Sequence, residues 1–147
     1  MSVSFDVLGL PAPQGSKRAV PGRGAGRPML VDGSSDVGKA KTKAWRTAVA
    51  ERAREVADEH GQITGPTEVR IQLRFPRPKS RPKKHHGWHV VKPDKDKVLR
   101  ACLDGLTAGG LIADDNQVCS IQVTAVETDG WTGAYFRLVS IAREAIA

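Results

Sequence analysis

Residues 68–75 alternate without a break. Val69, Ile71, Leu73 and Phe75 take one side, and Glu68, Arg70, Gln72 and Arg74 take the other. A period of two held over eight residues predicts a strand with one buried and one wet face. Such a face must be covered by another layer, which limits the folds open to the chain. The flanking sequence supplies the cover. From Lys39 to about His60 the apolar residues Ala44, Trp45, Ala48, Val49, Ala53, Val56 and Ala57 recur at helical spacing, with charge on the opposite side and Gly61 as a stop. From about Asp94 to Ala108, at ~100° per residue, Val98, Leu99, Cys102, Leu103 and Leu106 fall within a sector of about 140°, while Lys97, Arg100 and Asp104 lie opposite. Gly109 and Gly110 end that helix. Further strands are expected at Val3, Phe5 and Val7, at Ile121, Val123 and Ala125, and near residues 134–142. A turn through Asp129-Gly130 makes the last two a terminal hairpin. The expectation is an α/β (α+β) fold: one domain over residues 1–147, with a mixed β-sheet packed against helices.

A chain of 147 residues with 39% hydrophobic content suffices for one modest core. No segment approaches the ~18 apolar residues of a membrane span, and the N-terminus lacks the pattern of a signal peptide. Two cysteines, Cys102 and Cys119, are too few and too isolated for a disulfide framework, and both read as core-facing small residues. A cytoplasmic protein without a membrane partner is expected.

The net charge of +7 is unevenly spread. Residues 12–31 hold Lys17, Arg18, Arg23 and Arg27 with no acid, and residues 76–92 hold Arg77, Lys79, Arg81, Lys83, Lys84 and Lys92 with no acid. These two segments carry 10 of the 23 basic residues, and the remainder is mildly acidic. Both are rich in Pro and Gly and read as flexible basic loops, irregular through Pro28 in the first case and exposed throughout in the second. Charge concentrated in this way points to a polyanion such as nucleic acid. Within the second loop, His85, His86 and His89 supplement the positive charge. Trp88 either stacks on an unpaired base or packs back onto the domain. Trp45 is core or dimer interface. The glycines at 22–26 do not close a strand-to-helix turn and make no nucleotide loop.

Carboxylates gather where the basic loop ends. Asp94 and Asp96 stand at the mouth of the second helix, and Asp114 and Asp115 follow its glycines. Acids in a basic protein suggest a divalent metal acting on a phosphodiester, with magnesium favoured by hard oxygen ligands. Each acid also has a plainer explanation. Asp94 can be an N-cap, Asp96 a first-turn acid, Asp114 and Asp115 turn formers, and Asp104 a partner of Arg100.

The run PDKDKVLRACLDGLTAGGLIADDNQV resembles the RusA family of Holliday junction resolvases. The shared pattern is Asp-x-Asp, a basic residue four positions on, Leu-Asp-x-Leu, then Asp-Asp-x-Gln-Val. The segment GLPAPQGSK at residues 9–17 is similar to the phage-type branch. The resemblance implies a RusA-like fold and a homodimeric endonuclease that nicks two strands of a four-way DNA junction symmetrically. It implies Mg²⁺ as cofactor, with Mn²⁺ as a substitute, and a role in phage or prophage DNA recombination and repair inside a bacterial host cytoplasm. Carried over by position, the metal carboxylates are Asp94, Asp96 and Asp115, with Asp114 in the adjoining acidic position. The family's helix lysine falls at Arg100, which keeps the charge and suits phosphate but is a poor proton donor. Lys97 replaces a common asparagine. The DNA contacts expected from the basic segments are Lys17, Arg18, Lys79, Arg81, Lys83, Lys84 and Lys97. Two alternatives remain at this point: a non-catalytic DNA-binding or packaging protein, and a metal-dependent nuclease for flaps or forks.

Overall fold

The computed structural model describes residues 1–14, 17–20, 29–32, 36–80 and 87–141. Its centre is a four-stranded sheet of β1 (Ser2–Leu8), β4 (Thr67–Pro76), β5 (Val118–Thr128) and β6 (Gly133–Ser140), in the spatial order β1-β6-β4-β5. Two helices, α1 (Asp36–His60) and α2 (Lys95–Ala108), accompany it. The predicted mixed sheet and single-domain α+β class are both present.

The alternation that marked residues 68–75 builds the core. Val69, Ile71, Leu73 and Phe75 are buried, as are Val3, Phe5 and Val7 of β1 and Ala134, Phe136 and Leu138 of β6. Phe5 and Phe136 stack with ring centroids 5.2 Å apart. Trp45, Val49, Ala53 and Val56 of α1 and Val98, Ala101, Cys102 and Leu106 of α2 complete the same cluster. Each large side chain taken out of water contributes about 1.5–3 kcal/mol before entropy is counted.

The two helices approach closely because α2 carries glycine at the crossing. A Cβ on Gly105 would lie 2.7 Å from the Val49 side chain, and one on Gly109 would lie 2.4 Å from the Ala50 carbonyl. Gly109 is thus a packing residue as well as a helix end.

Three expectations change. The terminal hairpin is absent: β5 pairs parallel with β4, and β6 crosses over the end of β4 to pair antiparallel with both β4 and β1. The physical reason is the β4–α2–β5 unit. A helix between two strands brings the second back parallel to the first, so β5's inner side is already taken when the chain reverses at Asp129-Gly130. Within the first basic segment Lys17–Val20 is a strand (β2) rather than irregular chain, paired antiparallel with β3 (Met29–Asp32) so that Lys17 is opposite Asp32, while residues 21–28 lie outside the described residues. Cys119 is not in the core but exposed, near the start of the edge strand β5, whereas Cys102 is buried.

Residues on either side of 81–86 in the second basic segment are held to the sheet. Arg77 donates to Asp129 at 2.8 Å, and residues 87–89 lie along β5, with the Glu127 amide donating to Gly87 O and the His89 amide to Ala125 O. Among the described residues, no helix is long and apolar enough to cross a membrane.

Candidate active site

Asp94 caps α2 by position only. Its backbone is extended and its carbonyl accepts from the Val98 amide, but its side chain makes no capping hydrogen bond. The carboxylate is 64% exposed, with Lys97 Nζ at 4.0 Å. Asp96 lies in the first turn and is exposed. Both benefit from the positive end of the helix dipole. They line an open depression of about 630 Å³ with Val91, Lys92 and Pro93.

The second acidic pair sits beyond the other end of α2. Asp114 accepts from the Asn116 amide at 2.8 Å and closes a capping box with Gln117, so it shapes the turn. Asp115 is held differently: Thr107 Oγ1 lies 2.7 Å from its Oδ1. The same hydroxyl is 3.0 Å from Leu103 O, and the shorter, charged acceptor is the stronger partner for its one hydrogen. Asp104 is close by. Partial burial raises its pKa most, and the Asp115 charge raises it further, while Arg46, a Gln14 hydrogen bond and Arg100 oppose the shift. Arg100 is the least of these influences, so the expected Arg100–Asp104 pair is a minor feature.

Asp94 and Asp96 therefore do not meet Asp115 within one chain. Asp96 and Thr107 are separated by roughly 16 Å of helix axis at ~1.5 Å per residue, and a side chain reaching back one turn still leaves roughly 10 Å. Among the described residues, no three Asp, Glu, His or Cys side chains gather as a metal site. Magnesium is commonly held by one or two carboxylates, with waters and substrate phosphates completing the shell. Asp94 and Asp96, uncommitted to capping and open to solvent, suit that chemistry.

Residues 20–136 match the family Endodeoxyribonuclease RusA. The chain belongs to that family. No curated protein matches the chain. As a member of the RusA family it is a DNA endonuclease, and the spaced acids of α2 and the turn after it lie within the matched region.

Other expected contacts divide. Lys97 and Arg100 are on the α2 surface beside the acids, and Lys79 is exposed in the turn after β4. Lys17 and Arg18 are on β2, and their side chains lie outside the described residues, as do Arg81, Lys83, Lys84, His85 and His86 entirely.

Two positioning residues, Gln117 and Gln14, lie in the RusA-like motifs but had no role assigned from the sequence. Gln117 Nε2 donates to Ile63 O at 2.9 Å and to Thr67 Oγ1 at 3.1 Å, while its Oε1 accepts from the Ala113 amide at 2.8 Å. It fastens the acidic turn to the start of β4, and its spacing from Asp114 is a capping-box signal. Gln14 docks the N-terminal segment on α2, its amide donating to Lys97 O at 3.1 Å.

His89 corrects the reading of the loop histidines, because it is buried rather than a surface charge. It stacks on Phe75 at 4.1 Å, its Nε2 lies 3.0 Å from Lys92 O, and its Nδ1 is 3.4 Å from Glu127 Oε2. This ring ties the approach to Asp94 onto the sheet. The available signal was Glu127, an acid in register with inward-facing Val123 and Ala125.

Proposed function

We propose that this RusA-family chain is a Mg²⁺-dependent endonuclease that resolves four-way DNA junctions by paired symmetric nicks, acting as a two-fold dimer. The observation that carries this reading is the placement of the acids at opposite ends of one partly exposed stripe of α2. Taking Asp96 as 0° and ~100° per residue, Leu103, Thr107, Arg100 and Asp104 fall between about −20° and +80°. A second copy laid antiparallel along this stripe would set Asp94 and Asp96 of each chain beside Asp115 of the other. The two-fold axis would then pass near Arg100 and Leu103. Two equivalent sites related by a dyad suit a substrate that is itself two-fold and needs two cuts.

Asp94 and Asp96, with Asp115 from the second chain, would hold the cation. When bound, Mg²⁺ or Mn²⁺ activates water and offsets the charge on the phosphoryl oxygens. Thr107 fixes the direction of Asp115, and Gln117 fixes the turn that presents it. Arg100 grips a phosphate through two parallel N–H groups, and Lys97 adds charge beside Asp94. The basic segments bearing Lys17, Arg18, Lys79, Arg81, Lys83 and Lys84 contact the DNA arms. The setting is phage or prophage recombination and repair in the bacterial cytoplasm.

The test is cleavage of a synthetic four-way junction with Mg²⁺, alongside fork, flap and duplex substrates of the same arms. Symmetric nicks in opposing strands of the junction are expected, with Asp96→Asn binding but not cutting. An intact junction, or faster cutting of flaps, sinks the proposal.

A further inference from the structure

The chain has seven aromatic residues, and their distribution is one-sided. Phe5, Phe75, Phe136 and Trp45 are buried in the core. The other three, Trp88, Trp131 and Tyr135, are 65%, 38% and 40% exposed. All three belong to the sheet face turned away from the helices. Tyr135 lies opposite Asp6 and Gln72, which are outward positions of β1 and β4. Trp88 pairs with Val126, whose register partner is the outward Arg74. Its neighbour His89 turns inward onto Phe75, so Trp88 turns out. Trp131 lies over the Arg74 guanidinium at 4.2 Å.

Trp88 and Arg74 frame a groove of about 770 Å³. Trp88 forms one side, Arg74 the other, and Gln72, Val126 and Thr128 lie between them. Arg74 is fixed in place by its bonds to Trp131 O and Thr128 Oγ1, both at 3.2 Å. Arg70 and Arg137 continue the same face, where Arg70 is engaged by Glu68 at 2.7 Å and Arg137 is exposed. Flat rings beside guanidinium groups, with amide and hydroxyl groups between, match a base stacked on indole and a phosphate on arginine. A duplex hides its base faces, so the matching ligand is single-stranded. The groove has the volume of a small-ligand site.

We infer that the outer sheet face is a binding site for unpaired DNA, with a base against Trp88 and the backbone directed over Arg74 toward Arg137. The site lies on the opposite side of the sheet from α2, so it holds a displaced or single-stranded portion of the substrate rather than the phosphate being cut. It rests on the DNA-binding reading of the chain but not on cleavage.

The experiment is titration of the full chain with a short oligothymidylate in EDTA, followed by tryptophan fluorescence. Saturable quenching is expected, with emission from buried Trp45 remaining. Trp88→Ala should weaken binding about tenfold while Trp88→Phe keeps most of it. Arg137→Gln should lower the salt slope by about 0.7. Asp96→Asn should bind like the parent, which separates this site from the acidic centre, since the assay needs neither metal nor cutting. Absence of quenching, or equal affinity in Trp88→Ala and the parent, overturns the inference. So does a dimer that falls apart in Trp88→Ala with oligothymidylate binding unchanged, which would give the face to a second copy.

Discussion

Asp94 stands at the start of α2, and its carboxylate makes no hydrogen bond to the backbone amides it is placed to cap. Asp114, at the corresponding point of its own turn, makes that bond. The two aspartates look alike in sequence, and a single hydrogen bond separates a structural acid from an available one. Thr107→Val removes the hydroxyl that orients Asp115, and cleavage of a four-way junction should fall about 10- to 100-fold with the melting temperature nearly unchanged. Asp104→Asn tests the repulsion around Asp115. The Asp104 pKa is raised on folding, so its carboxylate binds a proton more tightly folded than unfolded, and its ionisation at neutral pH opposes folding. The variant should melt higher than the parent at pH 7, and the difference should vanish in acid once Asp104 is protonated in both states. Burial pushes the Cys102 thiol up to about 12, from an ordinary 9.0, whereas Cys119 is exposed. One thiol should therefore react with a disulfide reagent at pH 8 in the native protein, and two in denaturant. Alkaline stability should decline from about pH 9, where the unfolded thiol begins to ionise. The acids, Arg100 and Lys97 were legible as candidates because charge and spacing mark them. Thr107 was not, since a lone threonine in a helix carries no signal until the turn that folds onto it is known. His89 was misread because composition places a histidine among lysines, while burial depends on a partner, Glu127, 38 positions away.

At the scale of elements, periodicity did most of the work. The alternations in β1, β4 and β5 and the helical spacing in α1 and α2 correspond to real elements, with ends displaced by a few residues. Alternation tells which face a strand buries but not which strand lies beside it, so the place of β6 could not be read locally. The ribbon of β2 and β3 was missed because four-residue strands are too short to show a period. Glycine illustrates the same limit: Gly109 reads as a stop, and only the crossing with α1 makes it a contact. Gly109→Ala should destabilise the protein by about 1–3 kcal/mol, measured by urea unfolding, because the Ala50 backbone has to move. Ala108→Gly, at an exposed position one residue earlier, should cost only about 1 kcal/mol or less.

For the whole molecule, the proposed dimer makes a prediction that no single-chain site shares. Asp96→Asn and Asp115→Asn proteins should each be inactive alone. Mixed and allowed to exchange subunits, they form heterodimers in which one site is intact and the other carries both changes. Nicking of one strand should reappear, measured as relaxed single nicks without full resolution; if the mixture stays inactive, the two ends of α2 do not cooperate across a dyad. The order β1-β6-β4-β5 has a consequence for how the protein is made. β6 emerges from the ribosome after the other three strands, yet it is the one that joins β1 to the rest of the sheet. Until residues 133–140 are available, β1 and β4 each present an open edge and Phe5 has no Phe136 to stack on. Synthesis that halts before Gly133 yields a chain with open strand edges that cannot close its core, the kind of fragment that aggregates or is degraded.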